Sequence, residues 1–410
     1  MNIIKPMNLL LPSKTVDLYR WSIIACDQFS NNEKFWDKVF NTVINSPSSY
    51  FVTLPEVYLR EDNSNIISMI NEKMKEYLST GVLRDIGSCF VLVDRKTKYS
   101  NSRRGLVMCV DLEQFSFIPE DKSLIRSGEK IVMDKIPPRL QIRSNAEIEM
   151  SHVMLFFDDR KENIIEKLYQ NKDSMEVLYD TDLNMDGGHV TGYKVTDTAS
   201  VIESFNKLLD PEYLKETFGT DDKILFAVGD GNHSLATAKA HWLRVKQKLT
   251  PEQRENHPAR YALVEAININ DKGLSIHPIH RVVYNADEKL VNGLTSLYTG
   301  EGNRTTLIFN GNKYVVNLPS STPDAVRLVQ DYIDQYLENN PKAKGDYIHG
   351  FQNLLETCRL RPNSVGVLMP KMEKEDIFPY ILNKGLLPKK TFSTGEAEEK
   401  RYYMEAKKLK

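Results

Sequence analysis

The chain has 410 residues, room for about two to three domains at roughly 150 residues each. Lys and Arg number 54 against 56 Asp and Glu, so the formal net charge is −2 and no global field draws the protein to DNA, RNA or an anionic membrane. With 41% apolar, 27% charged and 9% aromatic residues the chain can bury a sizeable core, which excludes the disordered and fibrous classes.

The opening MNIIKPMNLLLPSK is too short and too interrupted for a signal segment, and no run approaches the ~18 apolar residues of a membrane span. A soluble, cytoplasmic protein is expected. Residues 21–26 (WSIIAC) read as a strand, followed by a helix over 32–43. Ile66, Ile67, Ile70, Met74 and Leu78 stand at helical spacing and predict a second helix over 63–78. Strands over 89–94 and 105–112 flank RKTKYSNSRR, a charged link that favours a hairpin with a solvated loop. The middle third predicts a strand at 153–157, a helix at 160–169, paired strands at 177–180 and 189–195, and a helix at 200–209. A strand at 224–228 then leads into a long helix over 232–248, with strands at 261–269 and 278–284 beyond it. The last third predicts a helix at 288–298, strands at 306–309 and 313–316, a helix at 323–337, strands at 346–348 and 365–369, and a closing surface helix over 396–408. The class is α/β or α+β, mixed sheets with flanking helices. No linker marks a boundary, and the expected regions are 1–115, 116–285 and 286–410.

Cys26, Cys89, Cys109 and Cys358 lie far apart with no C-x-x-C pair, and read as buried reduced thiols rather than disulfides or zinc ligands. The pattern Asp180-x-Asp182-x-Asn184-x-Asp186-Gly187 looks like a calcium loop. It places Met185 where the loop needs its glycine and Thr191 where it needs an acid, so a polar hairpin tip is the reading. His277 and His280 are separated by Pro278 in a strand-like context, which argues against a metal pair and makes His280 structural or phosphate-adjacent. His152, His189, His241 and His257 show no companions in the sequence, Glu147 and Glu149 read as solvated, and His349-Gly350 is either a helix start or part of a family-like stretch.

The segment 223–242, KILFAVGDGNHSLATAKAHW, carries the strongest chemical signal. Five apolar residues make a buried strand, Gly229-Asp230-Gly231 turns the chain, and Asn232 or His233 opens a helix kept slim by Ala236, Ala238 and Ala240. A strand, a glycine turn and a helix N-terminus together present backbone N–H groups and a positive dipole end, which suits a phosphate. Asp230 is a candidate Mg²⁺ ligand and His233 a candidate acid, base or phosphate donor. The same residues also make ordinary connection chemistry, an Asp-Gly turn followed by an Asn cap.

Four blocks in order resemble the family called domain of unknown function 1015, often labelled ParB-like or Spo0J-like. Its Asp-Gly-His-His-Arg helix opening is similar to Asp230-Gly231-Asn232-His233-Ser234, and its Arg-x-x-Glu block to Arg126-Ser127-Gly128-Glu129. The Leu-Pro-Thr-His-Arg block is similar to His277-Pro278-Ile279-His280-Arg281, and the Met-Pro-x-Lys-Ser-Thr block to Leu387-Pro388-Lys389-Lys390-Thr391. A fainter match lies at Cys26-Asp27. The resemblance implies a ParB/sulfiredoxin-like strand–glycine turn–helix unit, in a superfamily that includes CTP-dependent partition proteins, ATP-dependent sulfiredoxins and ADP-dependent kinases of free serine. The family's association with serine-biosynthesis neighbourhoods makes serine and O-phosphoserine the leading substrate pair.

Two departures stand out: Ser234 replaces the motif arginine and Asn232 the first histidine. The missing guanidinium removes a bidentate phosphate clamp. Asn232 also stands where the reactive cysteine of sulfiredoxins would precede the motif histidine. The expectation is an Mg²⁺-dependent phosphotransferase or phosphohydrolase on a small phosphorylated or phosphorylatable metabolite, with no nucleic-acid or membrane partner. Gly231, Asn232 and Ser234 cradle the phosphate, Arg126, Arg281 and Lys390 neutralise it, and His233, Glu129 and Asp230 serve as catalytic candidates. The alternative is a nucleotide-binding regulatory module without turnover.

Overall fold

The computed structural model describes residues 3–410. Two compact units emerge, one comprising the residues up to Leu274 together with Ala397–Lys410, the other Ser275–Glu396. The boundary expected after residue 115 falls inside the strand Phe115–Ser116, and the one expected after residue 285 falls inside the second unit.

The first unit is organised by one mixed sheet. Its strands run in the order Phe115–Ser116, Ile125–Arg126, Phe226–Asp230, Met154–Phe157, Tyr261–Asn268, Arg103–Asp111, Leu83–Lys96, Met7–Pro12, Ala406–Lys408 and Ile148–Met150. Phe226–Asp230 is parallel to Ile125–Arg126 and antiparallel to Met154–Phe157, whereas Tyr261–Asn268 is parallel to Met154–Phe157 and antiparallel to Arg103–Asp111. The hairpin Val177–Leu183/Gly188–Val195 joins through the second half of Leu83–Lys96, with the expected polar tip at 184–187.

Alternation explains why the central strands read as unbroken apolar runs. Phe90, Leu92, Leu106, Met108, Val110, Ala262 and Val264 enter one core. Val91, Val93, Val107, Cys109, Tyr261 and Leu263 enter another. Successive side chains point to opposite faces of a strand, so a sheet buried on both faces needs apolar residues at every position. Helices cover those faces, including Ser64–Ser79, whose Ile67, Ile70 and Met74 point inward, and Asn232–Lys246, which buries Leu235, Ala236, Ala238 and Trp242. All four cysteines are free and buried.

The second unit is an antiparallel sheet in the order Asn312–Leu318, Asn303–Phe309, Val365–Val367, Ile276–Tyr284 and Lys344–His349, with Phe392–Thr394 paired to the start of Ile276–Tyr284. Glu288–Ser296 and Thr322–Asn339 pack into one core with Val283, Leu307 and Val365. Phe351–Leu360 packs Leu354 and Cys358 against Val282 and Ile308. His349-Gly350 marks the start of that helix, with Gly350 at φ 80 as its cap.

The structure departs from the sequence expectations in identifiable places. Residues 21–26 form no regular strand: Leu18–Trp21 is a helical turn, and Ile24 makes a single bridge to Arg401. The helix expected from 160 begins at Ile165. Arg95 and Arg103, assigned to a solvated loop, are buried strand residues bonded to Tyr403 Oη at 2.9 and 2.6 Å. The closing helix is absent. Residues 401–407 are extended and buried, ending in Ala406–Lys408 between Met7–Pro12 and Ile148–Met150. Their polar groups are bonded individually: Arg401 donates to Asn184 and the Ser22 carbonyl, Tyr179 donates to Glu405, and Lys407 pairs with Glu149. Glu149 is therefore buried between Arg143 and Lys407, not solvated. No described helix is long and apolar enough to cross a membrane.

Candidate functional site

The glycine turn joins the strand Phe226–Asp230 to the helix Asn232–Lys246. Gly231 adopts φ 78, a left-handed conformation that a side chain would strain, and a Cβ there would stand 3.0 Å from Val153. Leu235 N–H bonds Gly231 O at 3.0 Å at the start of the helix, the end where backbone N–H groups and the positive dipole gather.

Two of the motif blocks meet at this turn. The buried Asn232 Oδ1 accepts from Ser127 Oγ at 2.7 Å, Gly128 N at 3.0 Å and Glu129 N at 3.5 Å. His233 Nε2 accepts the Val132 amide at 3.0 Å, which puts the proton of a neutral ring on Nδ1. Asn232 and His233 thus clamp the 127–132 loop against the helix start. Gly128 is required beneath the clamp, because a Cβ would collide with the Val228 carbonyl oxygen. Arg126 faces elsewhere. Its guanidinium is bonded to Asp222 at 2.7 and 3.4 Å and to the Ser123 and Lys223 carbonyls, so its charge is already neutralised.

The other two blocks meet within the second unit. Arg281 is 1% exposed and donates to the carbonyls of Ile279, Lys389 and Lys390 and to Gln330. His280 is buried, accepts the Met369 amide through Nδ1 at 3.1 Å, and is pushed down to about 4 by burial and by the neighbouring Arg281, which fits a structural role.

The C-terminal segment brings a partner that sequence reasoning missed. Lys400 Nζ lies 2.9 Å from Asp230 Oδ2, while Asp230 Oδ1 accepts the Gly231 amide at 2.8 Å. Burial works against the Lys400 charge, but Asp230, Asp27 and Glu129 outweigh it and raise its pKa. The backbone explains the meeting: Ala25 N bonds Lys400 O and Tyr402 N bonds Ile23 O, so the 23–27 segment runs beside 400–402. Magnesium does not fit Asp230 as a ligand, because the lysine ammonium already occupies the carboxylate's cation position. Among the described residues no group of three or more His, Cys, Asp or Glu side chains could hold a metal ion.

A cavity of about 170 Å³ opens beside the turn, with Ser234, Asp27, Ser151, His152, Arg139 and Tyr402 among its lining residues. His152 has companions after all: its Nε2 lies 3.8 Å from Asp27 Oδ2 and its ring stands edge-on to Tyr402 at 5.1 Å. Burial raises the Asp27 pKa, but His152, the Gln28 amide, Lys400 and Arg139 together bring it down to about 2. Arg139 is ion-paired with Glu56. Cys26 lines the same cavity, and burial pushes its thiol up to about 12, so it is no thiolate nucleophile at neutral pH. Ser151, His152 and Val153 also border a water-sized cavity of about 20 Å³ that reaches Lys400, Glu265 and Glu405. His233 and Glu129 are not among the residues lining the larger cavity; Ser234 is.

The missed residues left little local trace. Asp27 had only the faint Cys26-Asp27 resemblance to mark it, and Lys400 sits in a run that reads as a surface helix. The dense apolar residues Tyr402, Tyr403, Met404, Ala406 and Leu409 were the one signal that this run is buried.

Several solved structures share a distant likeness. A conserved hypothetical protein from Pyrococcus furiosus aligns over 74% of this chain and 95% of its own at 9% identity, with a TM-score of 0.39. A free serine kinase in complex with AMP aligns over 77% and 95% at 9% identity and TM-score 0.41. SbnI with a C-terminal truncation, from Staphylococcus aureus, aligns over 70% and 82% at 8% identity and TM-score 0.36. No curated protein matches the chain. Residues 4–342 match the model of the protein of unknown function family DUF1015, and the chain belongs to that family.

Proposed function

We propose that the protein carries out phosphoryl chemistry on a small metabolite in the cavity beside the Gly231 turn. One observation carries this reading: Ser234, in the first turn of a 15-residue helix, lines a cavity together with a carboxylate, an imidazole and a guanidinium. Helix N-termini bind anions through free amides and the dipole, and phosphoryl transfer needs positioning and charge neutralisation more than covalent machinery. The helix N-terminus and Ser234 Oγ hold the phosphoryl group, while Arg139, already ion-paired with Glu56, adds positive charge to the cavity wall without serving as its clamp. Asp27, charged at neutral pH, accepts the proton of an attacking hydroxyl or water, with His152 beside it to orient and share that proton. The Asp230–Lys400 pair sets the local charge, while Asn232 and His233 position the turn by holding the 127–132 loop. Glu129 acts through Lys400, and Arg281 and Lys390 serve the fold of the second unit. Mg²⁺ enters, where it is used, with the phosphates of a nucleotide.

Serine and O-phosphoserine are the leading substrate pair to test. A phosphorus NMR time course tests the reading, with O-phosphoserine alone in one tube and serine plus ADP or ATP in others. Phosphate release or a new phosphoserine signal, lost in Asp27→Asn, supports the enzyme and fixes its direction. Broadened nucleotide resonances without product favour a nucleotide-binding module without turnover. Unchanged spectra throughout refute serine and O-phosphoserine as the substrate pair and ADP or ATP as the bound nucleotide.

A further inference from the structure

The polar groups explain only one part of the cavity. The rest is walled by Leu54, Met74, Ile148, Ala238, Ala262 and Leu409, all buried and contributed by separate segments. Phosphate and free serine offer these walls nothing, since neither carries apolar surface to remove from water. The volume of about 170 Å³ is close to the roughly 150 Å³ of an apolar protein cavity that accepts benzene. Ligand sites commonly join mostly apolar walls to a few convergent polar groups, and Asp27, His152, Arg139 and Ser234 supply those groups here. Ala238 keeps the space open: it follows Ser234 by one helical turn, so the phosphate end and the apolar end lie along one helix.

We infer that the ligand of this cavity carries an apolar arm about the size of a six-membered ring, joined to the hydroxyl or phosphoryl group held at the helix start. The inference rests on the phosphoryl reading for its polar end and extends it, because the serine pair fills only that end. A nucleobase or a substrate side chain would supply the same chemistry.

Calorimetric titration of the whole protein with inorganic phosphate, O-phosphoserine, phenyl phosphate, AMP and benzyl alcohol tests it. Phenyl phosphate is expected to bind about tenfold or more tighter than inorganic phosphate and O-phosphoserine. Ala238→Leu, which fills the space at little cost in helix propensity, should bring the three within about twofold. AMP binding tighter than phenyl phosphate assigns the arm to a base, and weaker binding assigns it to a substrate side chain. Phosphate compounds that bind, with phenyl phosphate no tighter than inorganic phosphate in the unmodified protein, overturn the inference, whatever the variant does. Benzyl alcohol binding that Ala238→Leu abolishes, with no phosphate compound bound, would keep the apolar arm and overturn the phosphoryl reading instead.

Discussion

Replacing Lys400 by methionine keeps an unbranched chain only one heavy atom shorter and removes its charge, which largely isolates the electrostatic part of the Asp230–Lys400 pair. The two side chains are only 13% and 20% exposed and lie 2.9 Å apart. Breaking a buried pair by removing one partner costs about 3–5 kcal/mol, because the remaining charge is left uncompensated. The residual exposure of Asp230 lets water recover part of that, which places the expected loss at about 2–3 kcal/mol. Adding Asp230→Asn removes the stranded charge, so the double variant should recover to within about 1 kcal/mol of the native protein. Urea unfolding followed by tryptophan fluorescence is well suited, since Trp21, Trp36 and Trp242 all lie in the first unit and report on it alone. A Lys400→Met loss below about 0.5 kcal/mol, the range of an ordinary surface change, would refute the buried-pair account.

Three further outcomes follow from the same physics. Asp27 is held at about 2, below its unfolded value, so its contribution is complete above about pH 4 and is lost as the pH falls towards 2. Discounted for a side chain that is 31% exposed, that share is about 1 kcal/mol, and urea titrations at pH 7 and pH 2.5 should show it in the native protein but not in Asp27→Asn. His280 behaves in the opposite chemical sense. Burial holds its pKa at about 4, so the unfolded chain takes up its proton first and the second unit loses about 2–3 kcal/mol between pH 6.5 and 4, a loss that His280→Gln should remove in hydrogen-exchange protection. Arg126→Met should destabilise the first unit by about 2 kcal/mol through the stranded Asp222, yet leave phosphate affinity within about twofold, because that guanidinium is already committed.

The helices over 64–79, 232–246 and 322–339 were legible because their apolar spacing is long and regular, and the central strands because both faces are buried. The helix opening at Asn232 was legible too, and the Arg126–Glu129 block stood out as a second family-like block, but that the Asn232 clamp joins the two in space was not legible. Nor were pairing partners. Residues 401–407 look like a solvated basic helix until each polar side chain is seen against its own buried hydrogen-bond or ion-pair partner, and those partners lie hundreds of positions away. The same blindness hid Lys400 beside Asp230 and Asp27 beside His152. Arg126 and Arg281 erred the other way. Arginines in motif blocks read as phosphate clamps, and here their donors satisfy an aspartate in one case and backbone carbonyls in the other.

The claim that a phosphoryl group sits against the first turn of the Asn232–Lys246 helix is tested most directly by Ser234→Glu. A carboxylate in that turn favours the helix by about 0.3–1 kcal/mol through the dipole, which works against repulsion from Asp27 across the cavity, and a melting curve separates lost function from unfolding. It also places a negative charge where the phosphate must lie. The account predicts a melting temperature equal to or above that of the native protein, together with phosphate-ester affinity and turnover reduced at least about a hundredfold. Binding and turnover that survive Ser234→Glu unchanged would contradict it.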